Sequence, residues 1–447
     1  MNPLSDNNIF KIPLDSRYSR PDLCLIYAPL SGNMLIASES DCIKLSAIIE
    51  NKTPGDESSR EVLEALLSGI PASQREGKVN HVNDFLYLYI LPNYICNFSC
   101  SYCFSAKGRG RGEIKESDLK ATLDFFIDSE RTASKKLAIS YLGGGEPTLS
   151  WPLLRFALEY SQVLADKNGI ELFNTVVTNG SRITPEIVDC FNKYNVLPRV
   201  SFEILEDIQS QQRSEYAGVC HGLELLGNCN RPAMVRSMIT PINVGRMTEM
   251  IQILHERFPK VKEVLFDPIS SAETFHEPEF TKSFYDTYFT EFLSARALAL
   301  EYGINLSCAP IRNLDYVVER YCTGELCLTP EGSITICHQI SSPKEDGYAD
   351  SLYGRVENGK LVLNDNKFRE LASKYTIYTR PECSSCWLKW NCGGGCMMQN
   401  KRYTQEVFST ICDFTRRFSL HFLMERLNES FSENGECLDS YIASYGK

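Results

Sequence analysis

Two groups of cysteines are the residues of this chain best suited to do chemistry. The first group is the run Cys96-Asn-Phe-Ser-Cys100-Ser-Tyr-Cys103, with no further Cys or His nearby. A structural zinc site normally takes four protein ligands. Three thiolates instead suit a four-iron cluster that keeps one iron open for another ligand. A zinc site completed by a distant ligand is the alternative.

The second group lies near the C-terminus and is spread over a longer stretch. It reads Cys322-x14-Cys337, then a 45-residue gap, then Cys383-x2-Cys386-x5-Cys392-x3-Cys396, and finally Cys412. Three glycines stand between the last two cysteines of the compact run, and glycine lets a backbone bend tightly around a bulky inorganic core. This pattern predicts bound metal, with a zinc ribbon as the rival of an iron–sulfur cluster.

The first cysteine run follows a strand in a long alternation of strands and helices. The predicted strands are Phe85–Leu91, Leu137–Leu142, Leu172–Thr178, Leu197–Glu203, Met234–Thr240 and Glu263–Phe266. The predicted helices are Lys115–Ser129, Trp151–Leu164, Pro185–Lys193, Tyr216–Leu226, Arg246–Phe258 and Phe280–Tyr302. Six strand–helix repeats predict a parallel α/β fold, either a partial (β/α)6 barrel or an open doubly wound sheet. In both folds, functional residues collect at the C-terminal ends of the strands.

The two ends of the chain differ from this middle part. Residues 1–80 carry β-type runs at Leu23–Ala28 and Asn33–Ala37, then helical stretches at Asp41–Glu50 and Ser59–Leu67. They predict a small α+β module that either docks a peptide on its edge strand or caps the main domain. Residues 305–420 are loop- and cysteine-rich, so we expect metal to hold that region together. A final amphipathic helix is predicted near Phe414–Phe431. Residues 421–447 are predicted to form the C-terminal helix and tail.

Composition narrows the function further. The chain has 447 residues and a formal net charge of −11, which disfavours nucleic-acid binding because phosphate contacts need a basic face. No apolar run approaches the ~20 residues that cross a bilayer, and the N-terminus carries no export signal. Eighteen cysteines without a secretion signal indicate metal sites in a reducing cytoplasm rather than a disulfide scaffold.

The first cysteine run, with an aromatic residue directly before its last cysteine, resembles the signature of the radical S-adenosylmethionine (SAM) enzymes. The second predicted strand ends in Gly143-Gly144-Gly145-Glu146-Pro147, which looks like the element of that family that holds the amino group of SAM. Thr178-Asn179-Gly180 and Ser201-Phe202-Glu203 occupy places where the family lines its SAM pocket. The resemblance implies the following cofactor-binding residues: Tyr102, Gly144, Gly145, Glu146, Pro147, Asn179, Ser201 and Arg213. For Arg213, pairing with the methionine carboxylate competes with an ordinary surface salt bridge.

The second cysteine group, with Gly332 ahead of Cys337, resembles the SPASM domain, a cysteine-rich extension of peptide-modifying radical SAM enzymes. The resemblance implies a fold made of an N-terminal winged-helix-like module (1–80), a partial (β/α)6 barrel (81–304) and a SPASM domain (305–420). It also implies two auxiliary [4Fe-4S] clusters besides the SAM-binding one. One would be held by Cys383, Cys386, Cys392 and Cys412. The other would be held by Cys322, Cys337 and Cys396, with Cys327, Cys308 or no protein group as its remaining ligand.

The family resemblance implies a common first step, in which SAM is split to a 5′-deoxyadenosyl radical that abstracts a hydrogen atom. The expected function is maturation of a ribosomally made precursor peptide with a leader sequence, by a carbon–carbon, thioether or ether crosslink. An electron donor such as flavodoxin or ferredoxin is implied as a partner. His338 follows Cys337 where sulfatase maturases place an aspartate base, and it is the candidate catalytic residue. Formylglycine generation in sulfatases and a non-catalytic electron-transfer protein remain the alternatives.

Overall fold

The N-terminal part of the chain folds into an antiparallel sheet with the strand order β1–β2–β3, flanked by helices. The computed structural model describes residues 3–14, 18–50, 57–68 and 79–446. Parts of the predicted module 1–80, including residues 69–78, therefore lie outside the described residues. The elements are α1 (Pro3–Asp6), β1 (Phe10–Pro13), β2 (Leu23–Ala28), β3 (Asn33–Ser38), α2 (Glu39–Ile49) and α3 (Glu57–Leu67). The β2–β3 hairpin and both helices are confirmed. Strand β1, four residues ending in proline, was not predicted.

Strand β2 is buried on both faces, and this explains how the module attaches to the rest of the chain. One face packs on the module's own helices through residues such as Ile26 and Leu45. The opposite face carries Leu25 and Tyr27 into the main core. The Tyr27 hydroxyl donates to Asn391 Oδ1 at 3.0 Å, so the module is fastened to the cysteine-rich region.

The middle of the chain forms a parallel sheet of alternating strands and helices, as predicted. Its strands are β4 (Tyr87–Ile90), β5 (Lys136–Tyr141), β6 (Glu171–Thr178), β7 (Leu197–Ser201), β8 (Met234–Ile239), β9 (Glu263–Pro268) and the unpredicted β10 (Asn305–Ser307). Its helices are α4 (Glu116–Phe126), α5 (Trp151–Asn168), α6 (Pro185–Lys193), α7 (Glu206–Gln212), α8 (Tyr216–Leu226), α9 (Met247–Arg257) and α10 (Pro278–Glu301). Neighbouring strands pair in parallel in the order β10–β9–β8–β7–β6–β5–β4. The α/β fold class is therefore confirmed.

Side chains alternate across this sheet with the period of two that strands impose. One set is buried against the helices, for example Ile139, Val176 and Val235. The other set is partly or largely exposed, and it includes Tyr89 of β4 and Arg199 of β7. We call this second side the inner face of the sheet.

The cysteine-rich region continues the same sheet instead of forming a separate one. Its elements are α11 (Ala309–Asn313), β11 (Leu326–Leu328), β12 (Ser333–Thr335), α12 (Tyr348–Ser351), β13 (Leu352–Glu357), β14 (Lys360–Leu363), α13 (Asp365–Ser373), α14 (Lys389–Cys392), α15 (Met397–Arg402), α16 (Gln405–Glu433) and α17 (Leu438–Ser444). Strand β11 pairs in parallel with β4, and β12 to β14 extend the sheet in antiparallel fashion. Tyr353 and Phe368 pack on Phe85 just ahead of β4, so this region shares the core of the parallel sheet.

The predicted final helix is part of the longer α16, which packs on α10. Tyr288 and Phe292 of α10 contact Phe414 and Phe418 of α16 through aromatic rings. Among the described residues, no helix has both the length and the apolar character needed to span a membrane.

Candidate active site

The first cysteine run lies in the loop that follows β4, at the C-terminal edge of the parallel sheet. Cys96, Cys100 and Cys103 are partly exposed. Burial raises the pKa of Cys96 and of Cys100. The nearby Cys103 also raises the pKa of both Cys96 and Cys100, and Cys96 raises that of Cys100. The guanidinium of Arg109 donates to Cys103 Sγ at 3.3 Å and to the carbonyl of Phe98. The loop thus gathers three thiols beside one fixed positive charge.

The three thiols of this loop do not converge on a single point. Within the described part of the chain, no three His, Cys, Asp or Glu side chains converge closely enough to hold one metal ion. A [4Fe-4S] cluster places each thiolate on a different iron, so its ligands do not need to meet at a point.

The glycine loop after β5 packs directly against the segment that leads into the cysteine loop. The amide of Gly145 donates to the carbonyl of Asn93 at 2.9 Å, and the amide of Glu146 donates to the carbonyl of Ile95 at 2.7 Å. A Cβ on Gly145 would lie 2.0 Å from the oxygen of Ile95, and one on Gly144, whose φ is +63°, would lie 2.5 Å from that of Asn93. Only glycine allows this approach, so both glycines position the site.

Glu146 joins the ends of β5 and β6. Its Oε1 accepts hydrogen bonds from the hydroxyls of Thr148 at 2.7 Å and Thr178 at 2.6 Å, and from the amide of Thr148. Its Oε2 accepts from the amide of Asn179 at 2.7 Å. Because each carboxylate oxygen accepts about two hydrogen bonds, Oε2 has room for one more donor, such as an ammonium group. Pro147 starts the short 3-10 helix after this carboxylate.

Asn179 belongs to a ring of polar side chains that links the end of β6 to the cysteine loop. Its Nδ2 donates to Asn97 Oδ1 at 2.9 Å, the Nδ2 of Asn97 donates to Ser181 Oγ at 2.9 Å, and Ser181 Oγ donates back to Asn179 Oδ1 at 2.8 Å. Sequence reasoning missed Asn97 and Ser181. The signal was available, since Asn97 stands inside the cysteine motif and Ser181 directly follows Thr178-Asn179-Gly180.

Tyr102 and Arg213 form a second buried polar group with Glu203, which follows β7, and with Ser237 of β8. The hydroxyl of Tyr102 donates to Glu203, Arg213 Nη1 donates to Tyr102 Oη at 2.9 Å, and Ser237 Oγ donates to Glu203 Oε2 at 2.6 Å. Arg213 Nη1 lies 3.8 Å from Glu203 Oε1, with side-chain exposures of 9% and 0%. The surface salt-bridge alternative for Arg213 is therefore wrong, because the pair is buried.

Burial raises the pKa of Glu203, against the opposing effects of Arg213, Ser237 and Tyr102. The positive charge of Arg213 also opposes the effect of burial on the pKa of Cys100, so this buried group lies next to the cysteine loop. Ser201, the other predicted residue of this strand, is half-buried at the end of β7.

Three buried donors around the cysteine loop have no hydrogen-bond partner within the described residues. They are Ser105 Oγ, Arg109 Nε and Arg213 Nε. Buried polar groups in proteins are normally satisfied. Donors of this kind suit an anionic cluster or the carboxylate of a cofactor, so the residues present fit a [4Fe-4S] cluster with SAM.

His338 reaches the same region from the cysteine-rich domain. Its ring stacks on Tyr89 with centroids 6.0 Å apart and meets Phe104, the residue after Cys103, at 5.6 Å. Its Nδ1 lies 2.8 Å from Glu325 Oε1. Burial lowers the pKa of His338, but the neighbouring Glu325 carboxylate outweighs this effect and the pKa is raised above its usual value. Sequence reasoning missed Glu325.

The seven cysteines predicted to hold the auxiliary clusters interact electrostatically within two groups, and their division into ligand sets stays a prediction. Cys412 and Cys392 each feel the charges of Cys383 and Cys386, and burial raises the pKa of both Cys392 and Cys412 to about 12. In the other group, the charges of Cys322 and Cys396 act on Cys337, whose pKa burial raises.

The candidates for the remaining ligand of the Cys337 group are both fully buried. Cys308 directly precedes α11. Burial and the Asp267 carboxylate raise the pKa of its thiol, and a hydrogen bond with Tyr288 lowers it. Cys327 lies on β11 opposite Thr335, and burial and the nearby Glu325 carboxylate raise the pKa of its thiol. Glu325 also acts on Cys337, which favours Cys327 over Cys308. The choice of ligand stays a prediction.

Comparison with known proteins agrees with this geometry. Residues 90–263 match the model of the Radical SAM superfamily. The chain is 22% identical over 330 residues to a cysteine-type anaerobic sulfatase-maturating enzyme of Clostridium novyi, covering 67% of this chain and 84% of that protein. It is 28% identical over 121 residues to the radical SAM cyclopropyl synthase TigE of Paramaledivibacter caminithermalis, covering 24% of this chain and 25% of that protein.

The fold has a solved counterpart. The structure of native anSMEcpe with bound AdoMet and Kp18Cys peptide superposes with a TM-score of 0.62 at 16% identity, covering 77% of this chain and 99% of that one. The superfamily model, the shared fold and the cysteine-rich C-terminus agree. Residues 90–263 are therefore a radical SAM domain, and most of the chain shares the fold of anSMEcpe.

Proposed function

We propose that the chain is a maturase that uses radical SAM chemistry to crosslink side chains of a ribosomally made precursor peptide. When bound, a [4Fe-4S] cluster and SAM supply a 5′-deoxyadenosyl radical that removes a hydrogen atom from an unactivated carbon. The chain's own residues bind and position these two cofactors. Cys96, Cys100 and Cys103 hold the cluster. The loop from Gly144 to Pro147, with Asn179 and Ser201, holds SAM.

In this proposal, two further groups position the cofactors and move protons. The buried set of Tyr102, Arg213 and Glu203 fixes the back of the cysteine loop, and the Nε of Arg213 is left to donate to the methionine carboxylate. His338 keeps Nδ1 against Glu325, so its Nε2 is the atom that exchanges a proton with the substrate.

Two auxiliary [4Fe-4S] clusters complete the proposed set, one on Cys383, Cys386, Cys392 and Cys412 and one on Cys322, Cys337 and Cys396. They would pass on the electron that remains when the substrate radical closes to product. A flavodoxin or ferredoxin is the proposed electron donor, and a reducing cytoplasm suits so many free thiols.

The N-terminal module is the observation that carries the choice of a precursor peptide as substrate. Strand β3 is at the edge of its sheet, and an edge strand can pair with an extended peptide. Beside it, α3 and the turn before β3 expose the apolar side chains of Leu30, Val62 and Leu67. A match that covers 99% of anSMEcpe accounts for only 77% of this chain, so this chain holds additional residues for such a role.

The leader-binding part of the proposal is tested with a matched pair of surface variants. Val62→Asp places a charge beside the β3 edge, whereas Val163→Asp places one on the outer helix α5, where Val163 is 63% exposed. Each variant is expressed with the short reading frames encoded next to this chain, and the peptides are weighed by mass spectrometry. We expect loss of two hydrogens per crosslink with the parent protein and with Val163→Asp, and much less product with Val62→Asp. Equal product from both variants would exclude the module as the leader site.

The proposal of radical chemistry has its own test. Reduced, cluster-loaded protein is incubated with SAM, and 5′-deoxyadenosine is measured by chromatography. We expect it from the parent protein and not from the variant in which Cys96, Cys100 and Cys103 are replaced by Ala. Parent protein with intact clusters that forms no 5′-deoxyadenosine would leave only an electron-transfer role.

Formylglycine generation is the second candidate, and the 330-residue similarity to a sulfatase-maturating enzyme favours it. A cysteine-containing sulfatase peptide converted to the aldehyde would support it. Such a conversion without any crosslinked product from neighbouring reading frames would replace the first proposal.

A further inference from the structure

The inner face of the sheet carries a group of arginines that the site described above does not use. Arg199 lies on β7 and Arg236 on β8, both on the inner face. In the β7–β8 register, Arg199 stands opposite Met234, two positions before Arg236. Arg312 of α11 joins them through Asp267 of β9. We call Arg199, Arg236 and Arg312 the arginine cluster.

The cluster carries more positive charge than its surroundings neutralise. Arg236 Nε lies 3.0 Å from Asp267 Oδ2, and Arg312 Nη2 lies 4.0 Å from the same oxygen. The other oxygen of Asp267 accepts the amide of Ala309 at 2.9 Å. Among the described residues, no carboxylate lies within ion-pair distance of Arg199. Arg236 and Arg312 thus share the one carboxylate of Asp267 and Arg199 has none within the described part of the chain, which leaves a net charge of +2 on the cluster in a chain of net charge −11.

The surroundings of Arg199 make an additional anion favourable. Burial lowers the pKa of Arg199, and the positive charges of Arg312, Arg236 and Arg231 lower it further. A guanidinium repelled by neighbouring arginines gains from a bound carboxylate, whose two oxygens match its planar fork.

The cluster is on the same side of the sheet as the reaction site. Tyr89 is on the inner face of β4, and its ring stacks on His338. The charge of Arg236 acts on His338, and His338 contacts Phe104 beside the cysteine loop. A peptide residue placed near the cysteine loop could therefore have its neighbour within reach of the arginines.

We propose that the arginine cluster binds a carboxylate of the substrate peptide, that of an Asp or Glu side chain close to the modified residue. This inference rests on the proposed function, because it assumes a peptide substrate. The methionine carboxylate of SAM is the other source of the same chemistry. Arg236 stands opposite Ser201 in the β7–β8 register, whereas Arg199 lies two residues before Ser201, so Arg199 is the member of the cluster set back from the predicted SAM residues.

Equilibrium binding tests the inference without turnover. The probes are three fluorescent peptides of identical glycine- and alanine-rich sequence, with Asp, Asn or Lys at the central position. Cluster-loaded full-length protein is titrated by fluorescence anisotropy under anaerobic conditions, and SAM binding is measured separately by equilibrium dialysis. The variants are Arg199→Gln, Arg199→Lys and Arg312→Gln. The control is Arg155→Gln, an exposed arginine of α5 that pairs with Glu159 and Glu186.

We expect the parent protein and Arg155→Gln to bind the Asp peptide about three- to fivefold tighter than the Asn peptide, since ion pairs of half-exposed guanidinium groups are weak. Arg199→Gln and Arg312→Gln should each reduce this preference, and Arg199→Lys should retain part of it. Affinity for SAM should be unchanged in all of them. Iron content and far-UV circular dichroism identify any variant that misfolds, and the other two variants then decide.

Equal affinity of the parent protein for the Asp and Asn peptides would overturn the inference. So would a loss of SAM affinity in Arg199→Gln with peptide preference intact, since the carboxylate would then belong to SAM. Neither result depends on 5′-deoxyadenosine formation, so failure of the inference is distinguishable from failure of the proposed function.

Discussion

Replacing Gly145 by Ala is the perturbation whose size the structure defines most directly. The added Cβ would lie 2.0 Å from the carbonyl oxygen of Ile95 and 2.2 Å from Asn93 Oδ1. Contacts under 3.0 Å are not tolerated, so the glycine loop must move away from the cysteine loop by about 1 Å. Misplacement of reacting groups by that distance costs roughly 10²-fold in rate. Overpacking of this kind also lowers the free energy of unfolding by about 1–3 kcal/mol.

The assay compares two glycines that differ only in their surroundings. Gly245 has no heavy atom within 4 Å of an added Cβ, so Gly245→Ala is the matched control. Both variants are loaded with iron and sulfide, and SAM affinity and the rate of 5′-deoxyadenosine formation are measured. We expect Gly145→Ala to bind SAM more weakly and to cleave it about 100-fold more slowly. We expect Gly245→Ala to behave as the parent protein. Normal SAM affinity and cleavage in Gly145→Ala would refute the assignment of this loop to the cofactor.

Three further tests, with four variants, concern other parts of the molecule. Glu203→Gln leaves Arg213 buried without its counter-charge, so the free energy of unfolding in denaturant titrations should fall by about 3 kcal/mol, and an unchanged midpoint would argue against the pair. Cys383→Ala and Cys337→Ala should each lose the iron of a different auxiliary cluster and keep SAM cleavage, whereas loss of all iron from either variant would mean that the ligands are wrongly divided. Tyr27→Phe removes one hydrogen bond to the cysteine-rich region, and thermal unfolding should register a loss of about 1 kcal/mol, with faster protease cleavage of the N-terminal module.

The parts of the fold that the sequence predicted well are those with a local signal. The alternation of strands and helices from β4 to α10 follows from hydrophobic period and length, and the glycines and cysteines of the site follow from their motifs. Strands β11 and β12 escaped because each has three residues, too few to establish a period. The pairing of β11 with β4 joins chain segments more than 200 residues apart, and β12 then pairs with β11.

The contacts around the motifs could not be predicted in the same way. The sequence placed Tyr102, Glu203 and Arg213 near SAM, but their mutual hydrogen bonds depend on how α7 packs under the cysteine loop. Arg199 and Arg236 carry no motif at all. They meet Arg312 only because the strand register and the position of α11 put them on one side of the sheet.

The pairing of β11 with β4 also bears on how such an enzyme can be divided or evolve. The amide of Leu91, at the end of β4, donates to the carbonyl of Leu328 at 3.0 Å, so the two regions share one hydrogen-bonded ladder. Cutting the chain after the helices of the barrel would strip one side of β4 and leave its backbone groups open to self-association. The cysteine-rich extension is therefore part of the same sheet as β4. If a descendant lost it, another segment would have to pair with β4.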